Sequence, residues 1–276
     1  MGFRINTNTS SLAANRTLTK TARNVEKTTK HLASGSRIAE AGDDAAGLAI
    51  SEKIKSVIRS SVQARRNATD GISMVQMAEG GINEIQNIMT RLRELSIQSA
   101  SDTIGNTERE LTNLEYQQLK NEIERISQVT EFNGRKLLDG TGSRYDFQVD
   151  VNSGEMDRIS FNAGATNMSL SRLNLDSLDV SNKSGAQNSL SNLDNAIEQV
   201  SRQRSSLGAI QSRLTSSTNN LSIFEKSQSD ANSRIRDTDY AFSTAAAAKN
   251  SIIQQSGTQV MAQANTTGSN ALKLLS

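Results

Sequence analysis

Between Gln187 and Ile235 apolar side chains recur as Leu190, Leu193, Ile197, Val200, Leu207, Ile210, Leu214, Leu221, Phe224 and Ile235, mostly three, four or seven residues apart. The skipped positions are small or polar, and the chain has no proline to break a helix. One helix through this stretch would be about 70 Å long at 1.5 Å per residue. A narrow apolar stripe on so long a helix stays wet unless a second stripe of similar length covers it.

That second stripe lies upstream. It reads Ala68, Ile72, Val75, Ala78, Ile82, Ile85, Met89, Leu92 and Leu95, led in by Leu48, Ile50, Ile54, Val57, Ile58 and Val62. A chain that reverses in its middle lays the two side by side. We therefore expect a mainly α fold: an elongated antiparallel, coiled-coil-like helical bundle with a small β element at the turn. Its core should draw on Ile72, Val75, Ile82, Ile85 and Leu92 from one stripe and on Leu193, Ile197, Val200, Leu207, Leu214 and Leu221 from the other. Leu114, from a helix between them, should join this core.

Taken in order, residues 7–32 predict a thin amphipathic helix marked by Leu12, Leu18, Val25 and Leu32, marginal in water by itself. Ser34-Gly35-Ser36 and Ala41-Gly42 break it, and Asp43 and Asp44 read as caps for a helix from Ala45 to about Ser99. Gly71, Gly80 and Gly81 lie inside that helix, where glycine costs stability unless something approaches closely. Thr107, with Glu110 three residues on, predicts a capping box for a third helix. Its face should be Leu111, Leu114, Leu119, Ile123, Ile126 and Val129, packed back on the second helix.

Asn133-Gly134 and Asp139-Gly140 are turn pairs, and Tyr145, Phe147, Val149 and Val151 alternate as a strand returning through Ile159 and Phe161. Residues 163–184 read as short strands and loops anchored by Leu170, Leu173, Leu175 and Leu178. A last, alanine-rich helix should run from about Tyr240 to Ala264 and end at Thr266-Thr267-Gly268-Ser269. The thin terminal helices meet if the fold doubles back. Their exposed apolar surface then points to other copies of the chain, through Leu12, Leu18, Val25, Leu32, Ile252, Val260, Leu272 and Leu275.

Chemistry is sparse. His31 is the one histidine, there is no cysteine, and no phosphate-binding glycine loop occurs, so no catalytic residue, metal or cofactor is expected. His31 reads as a helix-surface residue. A formal charge of +2 argues against a nucleic-acid partner held by phosphate contacts. The start shows no signal-peptide core and nowhere is there a run of about 18 apolar residues.

Six stretches of this chain resemble bacterial flagellin. They are Ile5-Asn6-Thr7-Asn8; LASGSRIAEAGDDAAGLAI from Leu32 to Ile50; MTRLRELSIQSASDT from Met89 to Thr103 with NEIERISQVTEFNGRKLL from Asn121 to Leu138; ANSRIRDTDYA from Ala231 to Ala241; and QANTTGSNALKLL from Gln263 to Leu275. The resemblance covers nearly the whole chain, in order. The chain departs from the family's usual residues at Ser36, Ala39, Ser243, Ala247 and Gly268.

The resemblance implies a flagellar filament subunit used for motility, a short form without large variable outer domains. Its inner terminal-helix domain would comprise residues 1–44 and 237–276, and its rod domain residues 45–184 and 185–236. It implies an extracellular filament, reached without a cleaved signal peptide. The implied partners are further copies of the chain, an export chaperone at the C-terminal helix, the flagellar type III export apparatus, and filament cap and hook-junction proteins. It also implies a surface read by toll-like innate immune receptors, at Arg91, Leu95 and Glu115. A minor flagellin, a hook–filament junction protein or a coiled-coil secretion-apparatus protein would share the same stripes.

Overall fold

The computed structural model describes residues 7–273, with side chains through Thr266. Five helices are joined by short connections and two hairpins. They are α1 (Thr9–Ser34), α2 (Ala45–Ala100), α3 (Asn106–Val129), α4 (Lys183–Arg236) and α5 (Tyr240–Lys273). The hairpin strands are β1 (Glu131–Phe132) with β2 (Arg135–Lys136), and β3 (Arg144–Gln148) with β4 (Arg158–Asn162). The chain divides into two compact units, Val57–Lys226 and the combination of Met1–Ser56 with Ser227–Ser276. The division falls inside α2 and α4, not in the loops at 35–44 and 237–239.

In the unit Val57–Lys226, α2 and α4 run antiparallel. Three pairs set the register: Arg93 Nε to Asp194 Oδ1 at 2.7 Å, Arg204 Nη1 to Gln86 Oε1 at 2.6 Å, and Arg65 to Glu225 at 3.6 Å. Each step forward along α2 is matched by a step back along α4. Between them Val75, Ile82, Ile85, Leu92, Leu193, Val200, Leu207 and Leu214 are fully buried, Leu221 is buried, and Ile72 and Ile197 are half-buried. Each such side chain withdrawn from water contributes on the order of 1.5–3 kcal/mol.

The third helix packs with a different face from the leucine stripe. Leu111, Leu114 and Val129 are 63%, 65% and 56% exposed, so Leu114 is not a core residue. The buried positions are Arg109, Tyr116, Lys120, Ile123 and Ser127. Two long basic side chains sit in this seam because their heads find orphaned carbonyls. The Arg109 guanidinium donates to the carbonyls of Ser99 and Ser101 at 2.9 and 2.8 Å, closing the end of α2. The Lys120 ammonium donates to the carbonyls of Asp176 and Leu178 at 2.8 and 2.9 Å. The start of α3 also differs from expectation. Gly105, with no side chain to offer, holds the cap position in place of Thr107, and Asn106 Oδ1 accepts from Arg109 instead.

Asn133 (φ 50°) and Gly134 (φ 75°) both take left-handed backbone, which closes the two-residue hairpin between β1 and β2. In the second hairpin Tyr145 pairs with Phe161 and Phe147 with Ile159, as the alternation predicts. Gly71 is where this hairpin meets α2: a Cβ there would lie 3.1 Å from the Phe147 ring. The segment after β4 forms a 3-10 turn at Ala163–Ala165 and irregular turns, with no strand among the described residues. Leu170, Leu173, Leu175 and Leu178 are buried anchors there, and Lys120 satisfies the loop's carbonyls, so a strand partner is not required.

In the other unit, Asp44 caps α2 by accepting from Gly47 N at 2.8 Å. Asp43 does not cap it; its carboxylate turns back on the preceding loop, accepting from the backbone N–H groups of Ala39 and Glu40 at 3.1 and 3.2 Å. The last helix runs through Thr266–Ser269 to Lys273, because a lone glycine weakens a helix without ending it.

Candidate assembly surface on the terminal helices

The terminal helices pair antiparallel within their unit. Asn8 Nδ2 donates to Ala264 O at 2.9 Å and Ser11 Oγ to Asn265 Oδ1 at 2.8 Å, while Leu18 lies over Gly257. The positions of α1 withdrawn from solvent include Ser11, Ala14, Leu18, Thr21, Val25, Thr28 and Leu32, at heptad spacing, with His31 beside them at the end. Those of α5 include Ser243, Ala247, Asn250, Gln254, Gly257, Met261 and Ala264, again a heptad. The seam is made mostly of small and polar residues, so it buries little apolar area.

Several larger apolar side chains point outward. Leu12 is 55% exposed, Tyr240 64%, Phe242 74%, Ile252 63% and Val260 59%. This leaves an uncovered apolar face on α5 and one open leucine, Leu12, on α1. The structure thus splits the residues expected to face other copies. Leu12, Ile252 and Val260 face out. Leu18, Val25 and Leu32 turn inward, because α5 offers the heptad seam that α1 lacks alone. The Leu272 side chain and Leu275 lie outside the described residues.

A short clasp closes the other end of the pair. Ser36 and Asp237 form an isolated antiparallel bridge, with Arg37 N donating to Arg236 O at 2.7 Å and Thr238 N to Gly35 O at 3.0 Å. Gly35, at φ 66°, turns the chain out of α1 into that bridge. Ser36 Oγ adds a bond to Arg236 O at 3.1 Å, and the buried Ser243 hydroxyl lies 3.0 Å from that of Thr238. These serines carry direct hydrogen bonds, although sequence reading saw them only as departures from a family pattern.

Asp43 organises the loop that follows the clasp. Besides the two backbone N–H groups it accepts from Lys27 Nζ at 2.8 Å, and its Oδ2 lies 3.4 Å from His31 Nε2. The Lys27 ammonium and those N–H donors hold the Asp43 carboxyl far below the usual range. His31 therefore belongs to the Asp43 cluster and is not a plain surface residue. Its side chain is 14% exposed. Lys27, four residues before it and so on the same helix face, with Asp43 following in the loop, is the pattern that could have signalled this. Among the described residues no group of His, Cys, Asp and Glu is placed to hold a metal ion.

The three residues implied as a receptor-read surface do not lie together on the outside. Arg91 and Glu115 are half-exposed and joined twice, Glu115 Oε1 accepting from Arg91 Nε at 3.0 Å and Nη2 at 2.9 Å, with Glu94 as a second acceptor at 3.0 Å. Leu95 is 1% exposed in the α2–α4 core and offers no contact surface.

Comparison with known proteins places this architecture among the components of the bacterial flagellum. Residues 5–143 match the bacterial flagellin N-terminal helical region and residues 190–275 the bacterial flagellin C-terminal helical region. The chain is 40% identical over 271 residues to a flagellin of Halalkalibacterium halodurans, spanning 98% of this chain and 99% of that one. It is 37% identical over 303 residues to a flagellin of Bacillus subtilis, spanning 99% and 100%. The crystal structure of Bacillus cereus flagellin is similar, with a TM-score of 0.51 and 28% identity over 56% of this chain and 88% of that one.

The chain belongs to the bacterial flagellin family. It is a self-assembling subunit of the flagellar filament, a structural protein and not an enzyme.

Proposed function

We propose that the chain is exported unfolded, that the free subunit then has its rod unit folded and its terminal helix pair only weakly held, and that neighbouring copies supply the missing burial. The observation that carries this is the thin seam of the terminal pair beside apolar side chains left open. That seam is small and polar, whereas Leu12, Tyr240, Phe242, Ile252 and Val260 are exposed. Assembly then provides by mass action the apolar burial that the isolated helices cannot reach. Leu12, Ile252 and Val260 are the inter-subunit contacts in this reading, while Leu18, Val25 and Leu32 hold the pair together.

The same exposed face of α5 is the surface an export chaperone covers before the type III export apparatus takes the chain, without a cleaved signal peptide. Filament cap and hook-junction proteins meet the same helices at the two filament ends, outside the cell. Any recognition by toll-like receptors rests on Arg91 and Glu115 with their neighbours, Leu95 acting behind them as packing.

Removing residues 240–276 tests the proposal. Polymerisation and chaperone binding are lost, while the helices of Val57–Lys226 keep their thermal transition. Filaments formed by the shortened chain would overturn it.

A further inference from the structure

We propose that α2, α3 and α4 enclose a binding site for one ordered water molecule, held by the hydroxyls of Tyr116, Ser99 and Ser189, and that this water fixes which face of α3 packs inward. All three residues are fully buried. The Tyr116 hydroxyl and Ser99 Oγ have no hydrogen-bond partner among the described residues. A buried hydroxyl costs stability unless something bonds it. Ser99 is set apart from the other buried serines of α2, each of which closes on a carbonyl of its own helix. Ser51 donates to Leu48 O at 2.9 Å, Ser61 to Val57 O at 3.0 Å and Ser96 to Leu92 O at 2.8 Å. The Ser99 hydroxyl makes no such bond.

Three helices bring the hydroxyls to one level. Arg109 of α3 donates to Ser99 O at 2.9 Å, and Tyr116 follows Arg109 by two turns on the same buried face. On α4 the Arg93–Asp194 pair sets the register, so that Ser189, five residues before Asp194, falls level with Gln98 and Ser99 of α2. The Ser189 and Ser96 hydroxyls lie near enough to the Tyr116 phenol to favour its ionised form, yet neither completes a hydrogen bond with it. Ser189 Oγ donates to Asp179 O at a long 3.5 Å. Hydroxyls that gather without meeting suit a buried water, which needs two to four polar partners.

The chemistry selects water over an ion. The lining groups are neutral, and the charge acting on the phenol, the Asp179 carboxylate, is taken by Ser181 N and Oγ at 2.6 and 2.9 Å. Burial outweighs the serines and pushes the Tyr116 phenol up, so it remains a proton donor at neutral pH. It donates to the water, and the water donates to the two serine oxygens. A polar position in a helix seam fixes which faces meet. Turning α3 to bury Leu111 and Leu114 would take Tyr116 from the site and strand Ser99.

Full-length parent, Tyr116→Phe, Ser99→Ala and the double variant are compared. Filaments are imaged by cryo-electron microscopy at a resolution that shows ordered water, and urea unfolding of the monomers is followed by circular dichroism. The parent should show a peak within hydrogen-bond reach of Tyr116 Oη and Ser99 Oγ, lost in Tyr116→Phe. Either single change strands the other hydroxyl, whereas the double change removes both. The urea midpoint should therefore fall in each single variant, and the double variant should lie at or above the lower of the two. No peak in the parent, or one unmoved in Tyr116→Phe, overturns the site. A double variant that loses the sum of the two single shifts means that the hydroxyls share no partner, and overturns it too. The urea series decides by itself if a variant forms no filaments.

Discussion

Leu18 of α1 lies so close over Gly257 of α5 that a Cβ on the glycine would fall 2.8 Å from Leu18 Cδ1. The contact is a close approach in a seam made mostly of small and polar residues. Because the atom in the way is the end of a flexible side chain, Gly257→Ala should be tolerated by a small shift of Leu18. Gly257→Val should not: overpacking of about 1–3 kcal/mol exceeds what so thin a seam can absorb. Amide exchange should then rise through α1 and α5 while Val57–Lys226 keeps its protection. Unchanged exchange in α1 would contradict the seam.

Lys120 is a buried strut. Its ammonium closes on the carbonyls of Asp176 and Leu178, and burial pushes its pKa down. Lys120→Met keeps the apolar stem but takes the ammonium from the Asp176 carbonyl and leaves the Leu178 carbonyl to Gln117 Nε2 at 3.2 Å, at a cost of about 1–3 kcal/mol for buried groups. The urea midpoint of the rod unit should fall accordingly, and the segment 170–180 should become the first to be cut by protease. Leu114→Ser, in contrast, should leave monomer melting almost unchanged, because the side chain is already 65% exposed.

The Asp43 cluster makes the terminal unit sensitive to acid. The carboxyl is held below its ordinary 3.8 by Lys27 and by the N–H groups of Glu40 and Ala39. A depressed carboxyl contributes stability that is present above the ordinary value and fades as the pH falls through the lower folded-state value. Exchange at residues 35–44 should therefore rise below about pH 4 in the parent chain. In Asp43→Asn it should already be fast at neutral pH and show less dependence on acid. A cluster equally stable at both ends of the titration would refute the role of this carboxylate.

Charge on the terminal helices opposes their own assembly. The single acid on α1 and α5 is Glu26, against Arg16, Lys20, Arg23, Lys27, Lys30, Lys249 and Lys273. Arg16, Lys20 and Arg23 line one groove with Leu12 on successive turns of α1. Copies that bring these helices together bring like charges together, a repulsion that salt screens within about 10 Å at 0.1 M. The critical concentration should fall as salt rises. The triple change to glutamine at Arg16, Lys20 and Arg23 should flatten that dependence, as read by sedimentation across a salt series.

Much of this was legible in the chain itself. The stripes through Val75–Leu92 and Leu193–Leu221, the glycine turn at Asn133-Gly134 and the alternation at Tyr145–Phe161 are local periodicities. A helix or strand states them wherever it finds its partner, so helix positions, the antiparallel pairing and the hairpin could be read residue by residue. What the sequence left open is which of two neighbouring faces wins when both are plausible. On α3 the leucines at 111 and 114 lost to Tyr116 and Lys120, because carbonyls far along the chain, at Asp176 and Leu178, needed a donor. On α1 the inward turn of Leu18, Val25 and Leu32 depended on a heptad more than 200 residues away. Asp43 likewise served lysine and backbone groups behind it and not the helix it precedes. Periodicity fixes that a face exists. Only tertiary contact, through burial and the pairing of buried polar groups, decides what that face meets.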